Sequence, residues 1–321
     1  MPISRLTRYL CAPVLLLVLG SAAQAATLQV NCGAKVGLAT IGAALKVLQG
    51  ALASGPNTIN VSGACHENIL INNMDLLTIT GSNGASITDA SGDTADVVDI
   101  RTSRVTISGM TIDGLNGVNY DTVDCEQGSQ CRLIGNTLQG GTDAVGVYPL
   151  SRGLIYGGVI QNATSSGILA WGDLLAAGIT VQGNPIGVSV QNGGRARVRG
   201  ADPAFDPILT ITPATIANNN GGVLVSQGAE FTCAGCVVRD NAGDGIHLDV
   251  SAAATIQGRP AITHNSGYGV YVGDLSSATF KGPPSTVTGN GQPNILCNSP
   301  TAVTRGALAA AGGAANTNCT N

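Results

Sequence analysis

The residues best equipped for chemistry stand together in Asp244-Gly245-Ile246-His247-Leu248-Asp249, where two carboxylates bracket an imidazole. A carboxylate beside a histidine fixes the ring tautomer or raises its basicity, which suits proton abstraction or transfer. The same Gly-Asp-Gly-Ile segment also reads as a tight turn in which Asp244 caps backbone donors. Asp89, Asp93, Asp96 and Asp99 supply oxygen ligands at short spacing that would suit calcium, although they lack the EF-hand pattern and acids in a Gly-rich turn also serve as plain solvated groups. Asp121, Asp124 and Glu126, beside Cys125 and Cys131, form a similar, weaker set. Arg195, Arg197 and Arg199 alternate along an exposed strand, where they could pair with the carboxylates of an acidic glycan or keep an edge soluble. His66 and His264 fall in turns, and no Ser-His-Asp or Cys-His spacing stands out.

A repeat positions these groups. Apolar markers at Ile87, Ile112, Leu138, Ile160, Val181, Ile216, Val238, Ile262 and Val287 follow one another at 21 to 26 residues, apart from one step of 35. A period in this range means stacked supersecondary units. A second ladder follows at a fixed offset, from Val145-Gly146-Val147 through Ile246-His247-Leu248 to Ile295-Leu296-Cys297, and a third precedes the first, as in Val105-Thr106-Ile107. Three short alternating strands per repeat predict an all-β fold, a single-stranded right-handed parallel β-helix of about ten coils, in which each strand pairs in parallel with its equivalent one coil on. Asn184, Asn219, Asn241, Asn265 and Asn290 each stand three residues after a marker, where stacked amides can bond along the axis.

Period-2 alternation then says which side chains face outward beside the second ladder: Tyr148, Leu169, Trp171, Ser189, Gln191, Leu224, Ser226, His247, Asp249 and Tyr271. Aromatic rings stack on sugars while polar neighbours orient them, so Tyr148, Trp171, Gln191 and Tyr271 are candidate substrate-binding residues, and His247, Asp249 and Asp244 candidate catalytic ones.

Residues 1–25 read as an export signal, with Arg5 and Arg8 ahead of an apolar run and Ala23-Gln24-Ala25 at its end. The remaining chain divides into an N-terminal cap (26–56), the β-helix (57–300, with an insertion at about 195–207) and a C-terminal tail (301–321) that loses the period and is tied back by its cysteine. In the cap, Thr40 opens a helix running to about Ala53, with Leu38, Ile41, Leu45, Leu48 and Leu52 on one side to cover the first coil. Once Arg5 and Arg8 are removed, 13 basic residues stand against 19 acidic ones, a net charge of −6, which disfavours nucleic acid and anionic membranes, and no later segment is apolar enough to span a bilayer. Eight cysteines remain after Cys11 leaves with the signal, and in an exported chain they read as disulfides: Cys125 with Cys131, Cys233 with Cys236, Cys32 with Cys65 and Cys297 with Cys319.

Thr40-Ile41-Gly42-Ala43-Ala44-Leu45, Thr58 to Val61 and Glu67-Asn68-Ile69-Leu70-Ile71 resemble the opening of pectin-lyase-like β-helix proteins, pectin methylesterases in particular, and the repeats extend the likeness over most of the chain. The methylesterase aspartates and Arg-Pro-Trp segment are not matched: Gly141-Thr142-Asp143-Ala144-Val145-Gly146 keeps one Asp without the aromatics, and the Gly-His-Gly of polygalacturonases is missing too. The export signal implies a secreted or periplasmic protein, expected to be a monomer, and the resemblance implies that it binds, and as a lyase, hydrolase or esterase would cleave or modify, an extended polysaccharide, with an acidic one as a candidate. The alternative is a non-catalytic adhesive or structural module with the same face.

Overall fold

The computed structural model describes residues 25–50, 55–200, 212–282, 285–306 and 317–319, which form a parallel solenoid. The expected export signal lies outside the described residues except for Ala25. The apolar markers stack in register: Ile112 lies opposite Leu138, then follow Ile160, Val181, Ile216, Val238, Ile262 and Val287. All are buried, because alternate residues of each short strand turn into the solenoid and meet the equivalent side chains of the coils on either side.

One side of the solenoid is a sheet of ten strands: Ile69–Asn72, Val98–Arg101, Val123–Glu126, Asp143–Val147, Ser166–Ala170, Ile186–Val190, Gly221–Val225, Ile246–Leu248, Tyr268–Val272 and Gly291–Cys297. The other two sides form one continuous sheet, since the long strands Asn57–His66 and Leu77–Thr88 run along both. The 35-residue step does not break the stack, because Val181 pairs directly with Ile216. Here the insertion needs a correction. Arg195–Arg199 is a regular strand paired on both sides, with Asp173–Ala177 and Glu230–Ala234, so it neither starts the insertion nor forms an edge. The extra chain comes after it, where 201–211 lie outside the described residues.

The corner after the first marker ladder is held by buried amides. The side-chain N–H groups of Asn184, Asn219, Asn241 and Asn265 each donate to the Oδ1 of the next asparagine, and Asn290 donates to Asn294, at 2.8 to 3.3 Å. Each Oδ1 also accepts the preceding asparagine's backbone N–H, so the stack satisfies groups that would otherwise be buried unpaired.

The first coil is covered by the helix Ile41–Gly50, which buries Ile41, Ala44, Leu45 and Leu48. Thr40 Oγ1 accepts the Ala43 N–H at 3.1 Å, as an N-cap should. Glu67 adds a contact not foreseen from the sequence: its two oxygens accept the N–H groups of Ile41 and Gly42 at 2.7 and 2.9 Å, satisfying donors that have no partner within the helix. Residues 51–53 of the expected helix lie outside the described residues. At the other end the period lasts longer than expected, because Val303–Gly306 pairs with Ser277–Lys281. The tail returns through Thr317, opposite Ile295, and through the Cys297–Cys319 disulfide. Cys32–Cys65, Cys125–Cys131 and Cys233–Cys236 are also bonded, completing four disulfides that fit an oxidising environment. Among the described residues no helix is long and apolar enough to cross a membrane.

Candidate functional site

The ten-stranded sheet carries two outward columns. The first runs Leu70, Asp99, Asp124, Gly146, Leu169, Ser189, Leu224, His247, Tyr271 and Leu296. The second, two residues on, runs Asn72, Arg101, Glu126, Tyr148, Trp171, Gln191, Ser226, Asp249, Gly273 and Asn298. Its ladder persists beyond the strand ends through bonds such as Tyr148 N–H to Cys125 O and Trp171 N–H to Val147 O. Tyr148, Trp171, Gln191, His247, Asp249 and Tyr271 therefore share one face.

His247 lies toward the C-terminal end of this face. Its Nδ1 is 2.7 Å from Asp244 Oδ2, and its ring stacks on Tyr271 with centroids 4.2 Å apart and planes 8° from parallel. Asp244 Oδ1 accepts the Tyr268 N–H at 2.8 Å, which locks the carboxylate. The acid thus holds both a backbone donor of the next coil and the histidine ring. Beside the ring is a cavity of about 210 Å³ lined by Ile186, Gly221, Val223, Leu224, Asp244 and His247. Asp249 is not brought to the imidazole: it stands in the other column, and its Oδ1 accepts the Val250 N–H at 2.9 Å.

Midway along the face, Tyr148 and Trp171 meet edge to face with centroids 5.4 Å apart. The Tyr148 hydroxyl donates to Asp121 Oδ2 at 3.0 Å. Gly146 makes this possible, since a Cβ there would collide with both Asp121 Oδ2 and the Tyr148 ring. Gln191 turns back onto Ser189, donating to its hydroxyl at 2.6 Å.

Next to the aromatic pair the face is acidic. Asp99, Asp124 and Glu126 each place a carboxylate oxygen within 4.8 Å of the others, so among the described residues these could hold a metal ion on this face. Arg101 bridges two of them, at 2.7 Å from Asp99 Oδ2 and 2.7 Å from Glu126 Oε1. Asp124 is 8% exposed and its Oδ1 has no hydrogen-bond partner. Burial, followed by the charges of Asp96, Asp121, Glu126 and Asp99, pushes its carboxyl up to about 9. Burial and then Asp143 push Asp121 to about 7. Burial also raises Asp96 and Asp143, and burial with the neighbouring carboxylates raises Tyr148.

The calcium set expected at Asp89, Asp93, Asp96 and Asp99 does not converge. Asp89 caps its own turn: burial opposes its ionisation, but hydrogen bonds from Ser91, Asn68 and Asp93 prevail and hold it at about 2. Asp93 accepts from Val118 and Asn119, Asp96 accepts the Asp121 N–H, and Asp99 pairs with Arg101. The set beside Cys125 proves the more compact, with Asp99 joining it in place of Asp121. A second cluster, Cys32, Cys65 and Glu67, offers no metal site, because both cysteines are in a disulfide and Glu67 caps the helix. Asp99 and Arg101 extend the two outward columns toward the N-terminus beyond Val145, where the second ladder starts in the sequence pattern. The alternations Val98-Asp99-Ile100-Arg101 and Val123-Asp124-Cys125-Glu126, 25 residues apart, were the signal that would have extended it.

Residues 55–282 match the family described as right handed beta helix region. The chain belongs to that family. Among solved structures, the A-module of the mannuronan C-5 epimerase AlgE6 of Azotobacter vinelandii is similar at 13% identity, over 83% of this chain and 93% of that one, with a TM-score of 0.44. ORF18 of Geobacillus virus E2 is similar at 14% identity and a TM-score of 0.40; the match takes in 87% of this β-helix chain but only 57% of the viral one. No curated protein sequence matches. Membership of the family accounts for the solenoid and leaves the chemistry to the side chains of the face.

Proposed function

We propose that this exported β-helix protein holds an extended polysaccharide along its ten-stranded face and modifies it by proton transfer at His247. Tyr148, Trp171, Gln191 and Tyr271 are the binding residues in this reading, and Asp244 positions the histidine. The observation that carries it is the His247 imidazole: with Nδ1 committed to the Asp244 carboxylate, the neutral ring presents Nε2 as the base, beside a cavity on a face lined with rings. Asp249, fixed on the Val250 N–H, has no proton-transfer part.

The test is release of reducing ends or unsaturated uronates, or a change in substitution, across a panel of polysaccharides. His247→Ala is expected to abolish turnover while binding persists, and Asp249→Ala to leave it intact. Turnover unchanged in His247→Ala would remove the catalytic assignment. Binding without turnover by the unaltered protein would leave the face as an adhesive surface.

A further inference from the structure

The acidic end of the face lies one coil from the aromatic pair. Glu126 precedes Tyr148 in the same outward column and Asp124 precedes Gly146 in the other. Arg101, the cation that bridges the patch among the described residues, is already committed to Asp99 and Glu126. What remains is a carboxyl, Asp124, that is more than nine-tenths buried, stands against the oxygens of Asp99 and Glu126, and keeps an oxygen without a partner. Glu126, with its side chain 25% exposed, is the most open of the three carboxylates and forms the mouth.

We propose that this patch is the seat for a protonated amine, so that the polysaccharide taken by the face is a cationic glycan containing free amino sugars. The inference rests on the polysaccharide reading and narrows its substrate class. It replaces the acidic glycan expected from the sequence. A uronate ring stacked on Tyr148 and Trp171 would bring its carboxylate against Glu126, whose partner Arg101 is shared with Asp99, so like charges would meet where water is partly excluded. An amino sugar on the same rings would direct an ammonium donor at the half-buried Glu126 carboxylate, with the Asp124 carboxyl, whose partnerless oxygen is buried, directly behind it. Charge-assisted hydrogen bonds of that kind are the strong ones. The surplus of 19 acids over 13 bases in the exported chain would also draw a polycation to the surface.

The chain's only tryptophan is part of the aromatic pair, so its fluorescence reports occupancy directly. We would titrate glucosamine oligomers, their fully N-acetylated counterparts and oligogalacturonates, each with calcium and with a chelator. The expected result is binding of the glucosamine oligomers about 10- to 100-fold tighter than of the acetylated ones, the loss that follows removal of one charge-assisted contact. That preference should weaken with salt and disappear in both Asp124→Asn and Glu126→Gln. Equal binding of amino and acetylated oligomers, or uronate binding that needs calcium, would overturn the cationic assignment while leaving the glycan face standing. A preference retained in both variants would show that the amine sits elsewhere and would overturn the seat. No binding of any oligomer by a protein whose unfolding curve is intact would reject the polysaccharide reading itself.

Discussion

Asp124→Asn should stabilise the protein at neutral pH and flatten its response to pH. In the folded chain the buried, unpartnered carboxyl titrates at about 9, against 3.8 for an unperturbed aspartate. Because the folded-state value is the raised one, the folded chain keeps a proton that the unfolded chain gives up. The site's contribution to stability is complete below about pH 4 and is lost progressively as pH rises toward about 9. Between the unperturbed value and pH 7 that loss amounts to about 4 kcal/mol. An amide carries no charge at any of these pH values, so the variant should not share the decline. Denaturant unfolding of both proteins near pH 4, 6 and 8 measures the difference, and the gap between them should widen in the variant's favour as pH rises. Parallel curves would refute the reasoning, because they would mean that Asp124 ionises in the folded chain as readily as in water.

Three further perturbations probe the scaffold and the face. Asn241→Ala removes an amide that accepts twice from Asn219 and donates to Asn265 and to the Ile216 carbonyl, and should cost about 3 kcal/mol in denaturant unfolding. Breaking Cys32–Cys65, which closes 33 residues, should cost about 4 kcal/mol, against about 2 kcal/mol for Cys233–Cys236, which closes 3, when the paired Cys→Ala variants are compared. Gly146→Ala should push Tyr148 off Asp121 and alter Trp171 fluorescence, with a change in stability smaller than that of Asn241→Ala.

The stack was legible in the sequence because a parallel solenoid writes its register as spacing. Val181 and Ile216, 35 residues apart, could be recognised as neighbours by their flanking Thr and the asparagine three residues later. The asparagine stack was readable for the same reason, and the disulfide partners because each pair is local along the chain. The acid cluster was legible only in part, since Asp124 and Glu126 fall together in the sequence while Asp99 comes from the preceding coil. Asp121, Asp124 and Asp143 look like solvated turn acids in one dimension, and only the coils on either side bury them. Glu67 was hidden likewise, since its contact with the helix spans 25 and 26 residues and follows no repeat. Asp249 shows the opposite error: two residues from His247 in sequence, it belongs to another column and bonds to its own turn.

Trp171 fluorescence across a length series of one glycan tests most directly whether the face acts as a single line. Tyr148 and Tyr271 lie five coils apart, about 24 Å at a strand spacing of about 4.8 Å. Affinity should rise with oligomer length up to that span, and Tyr271→Ala should remove the gain for long oligomers while leaving short ones bound at Trp171 unchanged. Equal effects of Tyr271→Ala on short and long oligomers, or no dependence on length, would contradict a ligand lying along the ten-stranded face.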